Sequence, residues 1–145
     1  IRYGNHIDFA LTFDERLHNA LVPSLLLQTF VENTIKHGFS FQDGIVINLS
    51  LQKRIVDEKP YIEICVKDNG PGFSREILSK LKNMESLISE DGHHIGITNA
   101  IERLNLLYSN DYTITFENND TSGARIDVLV PYKELKGDSN EYTTR

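Results

Sequence analysis

The chain has 145 residues, 39% hydrophobic and 25% charged, with a formal net charge of −6. That length fits one domain with a real core, and the acidic balance argues against a general nucleic-acid or anionic-membrane surface, so any polyanion needs a local site. No apolar run approaches the roughly 18 residues of a membrane span, and the single cysteine, Cys65, excludes an internal disulfide or a cysteine-based zinc cluster and points to a reducing compartment.

The chain opens on Ile1-Arg2-Tyr3, without an initiator Met or a signal peptide, and reads as a piece of something longer. His6 to Phe13 alternates, with Ile7, Phe9, Leu11 and Phe13 on one side, and is expected to be a strand. Asp14 to Ala20 is a short helical or turn segment. Pro23 suits the first turn of a helix that ends at Gly38. At about 100° per residue, Leu27, Phe30, Val31, Thr34 and Ile35 share one arc of it, and Glu32, Asn33, Lys36 and His37 the other. That polar arc reads either as a solvated face or as a ligand face carrying an acid, an amide, a cation and an imidazole.

Ile45 to Gln52 alternates as a second strand, Val56 to Pro60 reads as a charged turn, and Tyr61 to Asp68 as a third strand, so the two strands are expected to pair as a hairpin. Ser74 is placed to cap a helix from Arg75 to about Asn83. Met84 to His94 has weak periodicity and reads as a mobile loop. Ile95 to Ser109 is helical, with Asn99 and Arg103 one turn apart on a second face. Tyr112 to Phe116 and Ala124 to Val130 are two more strands joined by the turn-rich stretch Asn118 to Gly123. Strands with one apolar face imply a mainly antiparallel five-stranded sheet, covered on that face by about three helices: a two-layer α/β sandwich.

The stretch Lys67-Asp68-Asn69-Gly70-Pro71-Gly72-Phe73 stands out. Side chains on a strand alternate between faces, so Asp68 shares the face of Ile62, Ile64 and Val66. A carboxylate aimed at the covered side of a sheet is expensive without hydrogen-bond donors. Gly70 and Gly72 then let the backbone turn and a ligand approach. Alone, the stretch is either a tight turn with a solvated acid or a hook for a donor-bearing ligand. With Asn33, whose amide oxygen suits Mg²⁺, and the helix start beyond Gly92 and Gly96, whose free N–H groups suit phosphate, it offers partners for a base, a metal and phosphates.

Glu32-Asn33-xxx-His37, Asp68-x-Gly70-x-Gly72-Phe73 and Ile95-Gly96-Ile97-x-Asn99-xxx-Arg103-Leu104, in that order, resemble the nucleotide boxes of the GHKL ATPase superfamily. Pro23 to Gln28 running into Val31 to Gly38, and Leu107-Tyr108 after Arg103-Leu104, look like the catalytic ATP-binding domain of LytS/YesM-type sensor histidine kinases. The resemblance covers roughly Tyr3 to Tyr132, and implies a Bergerat-type ATP-binding domain over 1–132 and a polar, frayed tail over 133–145.

It further implies that Asp68 contacts the adenine amino group, that Gly70, Gly72 and Phe73 border base and sugar, and that Asn33 ligates Mg²⁺. Lys36 or His37 would lie near phosphate, and Glu32 would help polarise the incoming histidine. Met84 to His94 would form the lid over the phosphates, with the Gly96 and Ile97 backbone at its far hinge, and His94 and Ile95 would be among the cofactor-binding residues. Two positions depart from the pattern. His94 stands where a Gly is usual, which bears on the phosphate cradle, and Ala124 where a Thr often follows Gly123, which removes one water-bridged adenine contact.

The implied function is transfer of the ATP γ-phosphate to a histidine on an upstream dimerisation helix, in the cytoplasmic part of a membrane-anchored, homodimeric bacterial sensor that signals to a response regulator, with no nucleic-acid partner. None of His6, His18, His37, His93 or His94 sits in an acceptor context, so self-phosphorylation of this chain is not expected. The alternatives are a degenerate nucleotide-sensing module or another GHKL-type ATPase.

Overall fold

The computed structural model describes residues 7–38, 44–83 and 95–135. Five strands form one sheet in the order β1-β2-β3-β5-β4. β1 (Ile7–Phe13) runs parallel to β2 (Ile45–Val56). β3 (Lys59–Asp68), β5 (Ala124–Pro131) and β4 (Thr113–Asn118) complete the sheet with antiparallel pairings. Three helices, α1 (Ser24–Gly38), α2 (Arg75–Lys82) and α3 (Ile95–Tyr108), form the second layer. This is the expected α/β sandwich.

Register explains the core. Leu49 lies opposite Val66, Ile64 opposite both Leu51 and Val128, and Phe116 opposite Ile126, so the buried side chains of neighbouring strands fall on one face. Leu26 and Phe30 of α1, Leu81 of α2, and Ile97, Ala100 and Leu104 of α3 close over it. Fully enclosing a side chain such as Leu26 or Phe30 stabilises the fold by roughly 1.5–3 kcal/mol. Leu26 lies outside the arc read from the sequence, and Thr34, inside it, is also buried.

Local chemistry sets the boundaries. Asp14 caps a 3₁₀ turn at Glu15–Leu17 by accepting from the Arg16 backbone N–H, and also accepts from the Lys53 N–H of β2. The Arg16 guanidinium on the same carboxylate, followed by those backbone donors, holds the Asp14 carboxyl well below the usual carboxylate range. Ser74 Oγ accepts from Ile77 N at 3.2 Å, the expected cap of α2.

Three expectations need correction. The hairpin turn is not Val56 to Pro60 but only Asp57 and Glu58, both with positive φ (50° and 67°). Two such residues match the right-handed twist of the flanking strands, and the ladder runs on to Val56 opposite Lys59. Pro60 is tolerated because its missing N–H faces away from β2, and β5 pairing begins only at Tyr61.

Next, the apolar side of β1 is not covered. Ile7, Phe9, Leu11 and Phe13 lie opposite Ile45, Ile47, Leu49 and Leu51, on the core face, yet remain 45–56% exposed. β1 is the edge strand, and among strands α1 packs on β2 and β3. Finally, the chain does not fray at Lys133. Leu21 N donates to Lys133 O at 2.8 Å, Leu135 N donates to Asn19 O at 2.8 Å, and Glu134 bridges Ala20. The remainder of the expected tail, 136–145, lies outside the described residues.

Cys65 points to the opposite face of the sheet, beside the Arg125–Asp127 ion pair. Burial, and then Asp127, push its thiol up to about 11, so it is a neutral packing residue rather than a nucleophile.

Candidate functional site

Asp68 ends β3 opposite Ile47, whose side chain is fully buried, so the carboxylate points to the helix-covered face as the alternation requires. Backbone groups meet the cost of placing it there. Its Oδ1 accepts from Gly70 N at 2.9 Å and from Ala124 N at 3.1 Å. Among the described residues no donor reaches Oδ2. The acid is therefore oriented through one oxygen while the other stays available. Ala124, noted in the sequence for the hydroxyl it lacks, takes part through its backbone.

The surrounding loops are locked together. Asn69 Oδ1 accepts from Val46 N at 2.7 Å. Ser122 Oγ donates to the carbonyls of Asn69 and Gly70, and Asn119 Nδ2 donates to Asp68 O. Asn118 brackets Phe73, accepting from its N–H at 2.8 Å and donating to its carbonyl at 2.9 Å. Gly123 is the keystone. Its φ is +102°, and a Cβ there would sit 1.8 Å from Asp68 O. Gly72 has φ +80°, and a Cβ would meet Asn118 Oδ1 at 2.8 Å. Gly70 is buried. The Phe73 ring packs on the core, edge-on to Phe116 with centroids 6.0 Å apart.

A second polar region lies between α1 and α3. It is a cavity of about 500 Å³ lined by Thr29, Glu32, Asn33, Ile35 and Lys36 from α1 and by Gly96, Asn99 and Arg103 from α3. Thr29 Oγ1 donates to Leu25 O at 2.9 Å, and its methyl lies 3.7 Å from where a Cβ on Gly96 would be. Glu32 Oε2 accepts from Gln28 Nε2 at 3.0 Å. The side chains of Asn33, Lys36, Asn99 and Arg103 make no hydrogen bond or ion pair with any described residue.

The predicted site residues thus fall into two groups. Glu32, Asn33, Lys36 and Gly96 meet at the α1–α3 groove. Asp68, Gly70, Gly72 and Phe73 form the corner at the end of β3. Ile97 has its side chain fully buried in the core, so only its backbone is open to a ligand. His37 lies in the last turn of α1 and Ile95 opens α3, both with side chains outside the described residues; the expected lid, Met84 to His94, lies outside them too.

Sequence reading missed how Asn119 and Gly123 meet Asp68 while Asn118 and Ser122 hold the loop beyond it, because amide and hydroxyl residues beside a glycine also describe any turn. It placed Asn99 and Arg103 on one helical face and in the third box of the resemblance, without giving either residue a role; both line the cavity. Among the described residues no three His, Cys, Asp or Glu side chains cluster as a metal site. No described helix is long and apolar enough to cross a membrane.

Comparison with known proteins agrees with this architecture. The family model described as histidine kinase-, DNA gyrase B-, and HSP90-like ATPase matches residues 19–134. The sensor histidine kinase YesM of Bacillus subtilis is 29% identical over 131 residues, covering 90% of this chain and 20% of that protein. The sensor histidine kinase/phosphatase LytS of Staphylococcus aureus is 31% identical over 133 residues, covering 91% and 22%. This chain therefore spans about a fifth of the length of these relatives.

Among solved structures, the nucleotide-free catalytic domain of the histidine kinase ThkA superposes with a TM-score of 0.59 at 16% identity, over 86% of this chain and 78% of that one. Full-length ShkA in complex with AMPPNP superposes with a TM-score of 0.55 at 16% identity, over 89% and 26%. These two likenesses carry the fold. With the family model matched from residue 19 to residue 134, this chain belongs to the histidine kinase-, DNA gyrase B- and HSP90-like ATPases.

Proposed function

We propose that this chain is the ATP-binding catalytic module of a two-component sensor histidine kinase, and that it delivers the γ-phosphate of ATP to a histidine on a dimerisation domain of the same protein. The observation that carries the reading is the division of polar groups: an inward carboxylate with one free oxygen at the β3 end, and a separate groove of unpaired amides and cations. The first suits the exocyclic amine of adenine, and the second suits phosphates.

Each residue then has a task. Asp68 accepts from the base, held in place by the Gly70 and Ala124 N–H groups. Gly70 and Gly72 leave room for base and sugar. Lys36 meets phosphate charge from α1, joined by His37 in the last turn of that helix. Asn33 would offer an amide oxygen to Mg²⁺, a hard ion that usually takes its remaining ligands from phosphates and water; among the described residues no cluster of three acids or imidazoles surrounds it. When bound, Mg²⁺ supplies charge neutralisation to the phosphates. Glu32, with one oxygen tied to Gln28 and the other open, is placed to polarise an incoming imidazole. Because phosphoryl transfer is mostly positioning and charge stabilisation, the acceptor must be brought to the groove. The whole sensor is read as a membrane-anchored homodimer with this module in the cytoplasm and a response regulator as its downstream partner.

The test is to mix the chain with an isolated acceptor-helix domain and γ-labelled ATP. Labelling of the acceptor histidine is expected, and Asp68→Asn should abolish it while lowering nucleotide affinity in calorimetry by on the order of a hundredfold, the upper end for a charge-assisted hydrogen bond. Nucleotide binding without transfer would make the chain a nucleotide-sensing module, and unchanged affinity in Asp68→Asn would sink the adenine assignment.

A further inference from the structure

We propose that Arg103, with Asn99 one helical turn before it, is a specificity-determining residue that reads the terminal phosphate, so that the groove holds a nucleoside triphosphate in preference to the diphosphate. The proposal rests on the nucleotide-binding reading of the site and concerns which phosphate each wall of the groove contacts.

Among the described arginines, Arg75 and Arg103 hold no carboxylate of the described residues, and of these two Arg103 lines the α1–α3 cavity. Arg16 holds Asp14 at 2.8 Å, Arg54 holds Glu63 at 2.8 Å, and Arg125 holds Asp127 at 2.7 Å. Among the described residues Arg103 holds no carboxylate, although Glu32 lines the same cavity. Arg103 is exposed and its guanidinium has no partner among the described residues, on the wall of a cavity rather than on open surface. An arginine fork in that setting suits two oxygens of one phosphate, with directional bonds that a lysine cannot reproduce.

Position points to the terminal phosphate. Gly96, Asn99 and Arg103 recur at helical spacing on one face of α3, opposite Asn33 and Lys36 of α1. The groove shares no lining residue with the Asp68 corner. A nucleotide anchored by its base at Asp68 therefore enters the groove with its phosphate end. Among the described lining residues, two cations, Lys36 and Arg103, then face that end from two different helices, against one carboxylate, Glu32. The triphosphate differs from the diphosphate by one more anionic group, and an unpaired guanidinium on the second wall is the feature whose interaction depends on it. Asn99, also unpaired, adds an amide donor to the same wall.

The experiment compares the wild-type chain with Arg103→Gln and Arg103→Lys by calorimetry, using a non-hydrolysable ATP analogue and ADP, each with Mg²⁺. Arg103→Gln should lose triphosphate affinity by about tenfold, the scale of a hydrogen bond to a charged group, with ADP affinity changed by less than about twofold. Arg103→Lys, which keeps the charge and loses the fork, should fall between. Equal losses for both nucleotides, or no loss for either, would overturn the role of Arg103 while leaving the nucleotide site standing. A wild-type chain that binds neither nucleotide would instead remove the site reading and this inference with it. Melting temperatures without nucleotide should coincide for all three proteins. A lower value for Arg103→Gln together with equal nucleotide losses would mark Arg103 as a structural residue and count against the proposal.

Discussion

The Asp68 corner and the α1–α3 groove lie in one fold but treat their polar groups in opposite ways. At the corner nearly every polar atom is already bonded: Asp68 to two backbone N–H groups, Asn69 to Val46, Asn118 to Phe73, and Ser122 to two carbonyls. In the groove, lined by Asn33, Lys36, Asn99 and Arg103, these four side chains make no such bonds with any described residue. On the proposed reading the corner takes a base, which is rigid and neutral, so groups set in advance would recognise it without losing conformational freedom on binding. Phosphates bring their own charge and metal, and unpaired amides and cations are what such a ligand completes. The corner should therefore be sensitive to backbone strain, and the groove to loss of function at unchanged stability.

Gly123→Ala tests the corner most severely. A Cβ 1.8 Å from Asp68 O at φ +102° cannot be accommodated without moving the β3 end. The variant should lose on the order of 4 kcal/mol or more of stability, visible as a large drop in the urea midpoint or as failure to fold. A midpoint equal to wild type would break the account of the corner.

Asn33→Ala tests the groove. Its side chain makes no described hydrogen bond, so melting should stay within about 1 °C of wild type, while Mg²⁺-dependent nucleotide affinity falls by about tenfold or more. A Mg²⁺ titration matching wild type would remove the metal role.

Gly96→Ala should have the smallest effect. A Cβ there meets only Thr29 Cγ2, at an ordinary 3.7 Å, and the residue is helical, so stability should hold or rise, by no more than about 1 kcal/mol. A large destabilisation would mean that the two helices need glycine to pack, and the contrast with Gly123 would be lost.

Much of this was legible in the residues. The two-residue period of Ile62, Ile64, Val66 and Asp68 put the acid on the covered face, and the structure places it there. Ser74 announced its own helix by the preference of a hydroxyl for orphan N–H groups. The 3.6 period of α1 separated Phe30 and Thr34 from Glu32, Asn33 and Lys36. Other features left no local trace. Nothing in Ile7 to Phe13 marks it as the sheet edge, because alternation reports a face and not the neighbour that covers it. Asn118 resembles any turn amide until the fold sets it beside Phe73.

The sequence by itself determined the elements, the faces of their apolar residues, the inward Asp68 and the polar arc of α1, since each follows from periodicity and backbone preference within a few residues. Tertiary structure alone decided that Gly123 seats under Asp68, that Ala124 orients its carboxylate, and that Arg103 faces Asn33 across a cavity. Those relations join residues distant in the chain, and only the packing of α3 beside α1 and of β5 beside β3 brings them within reach.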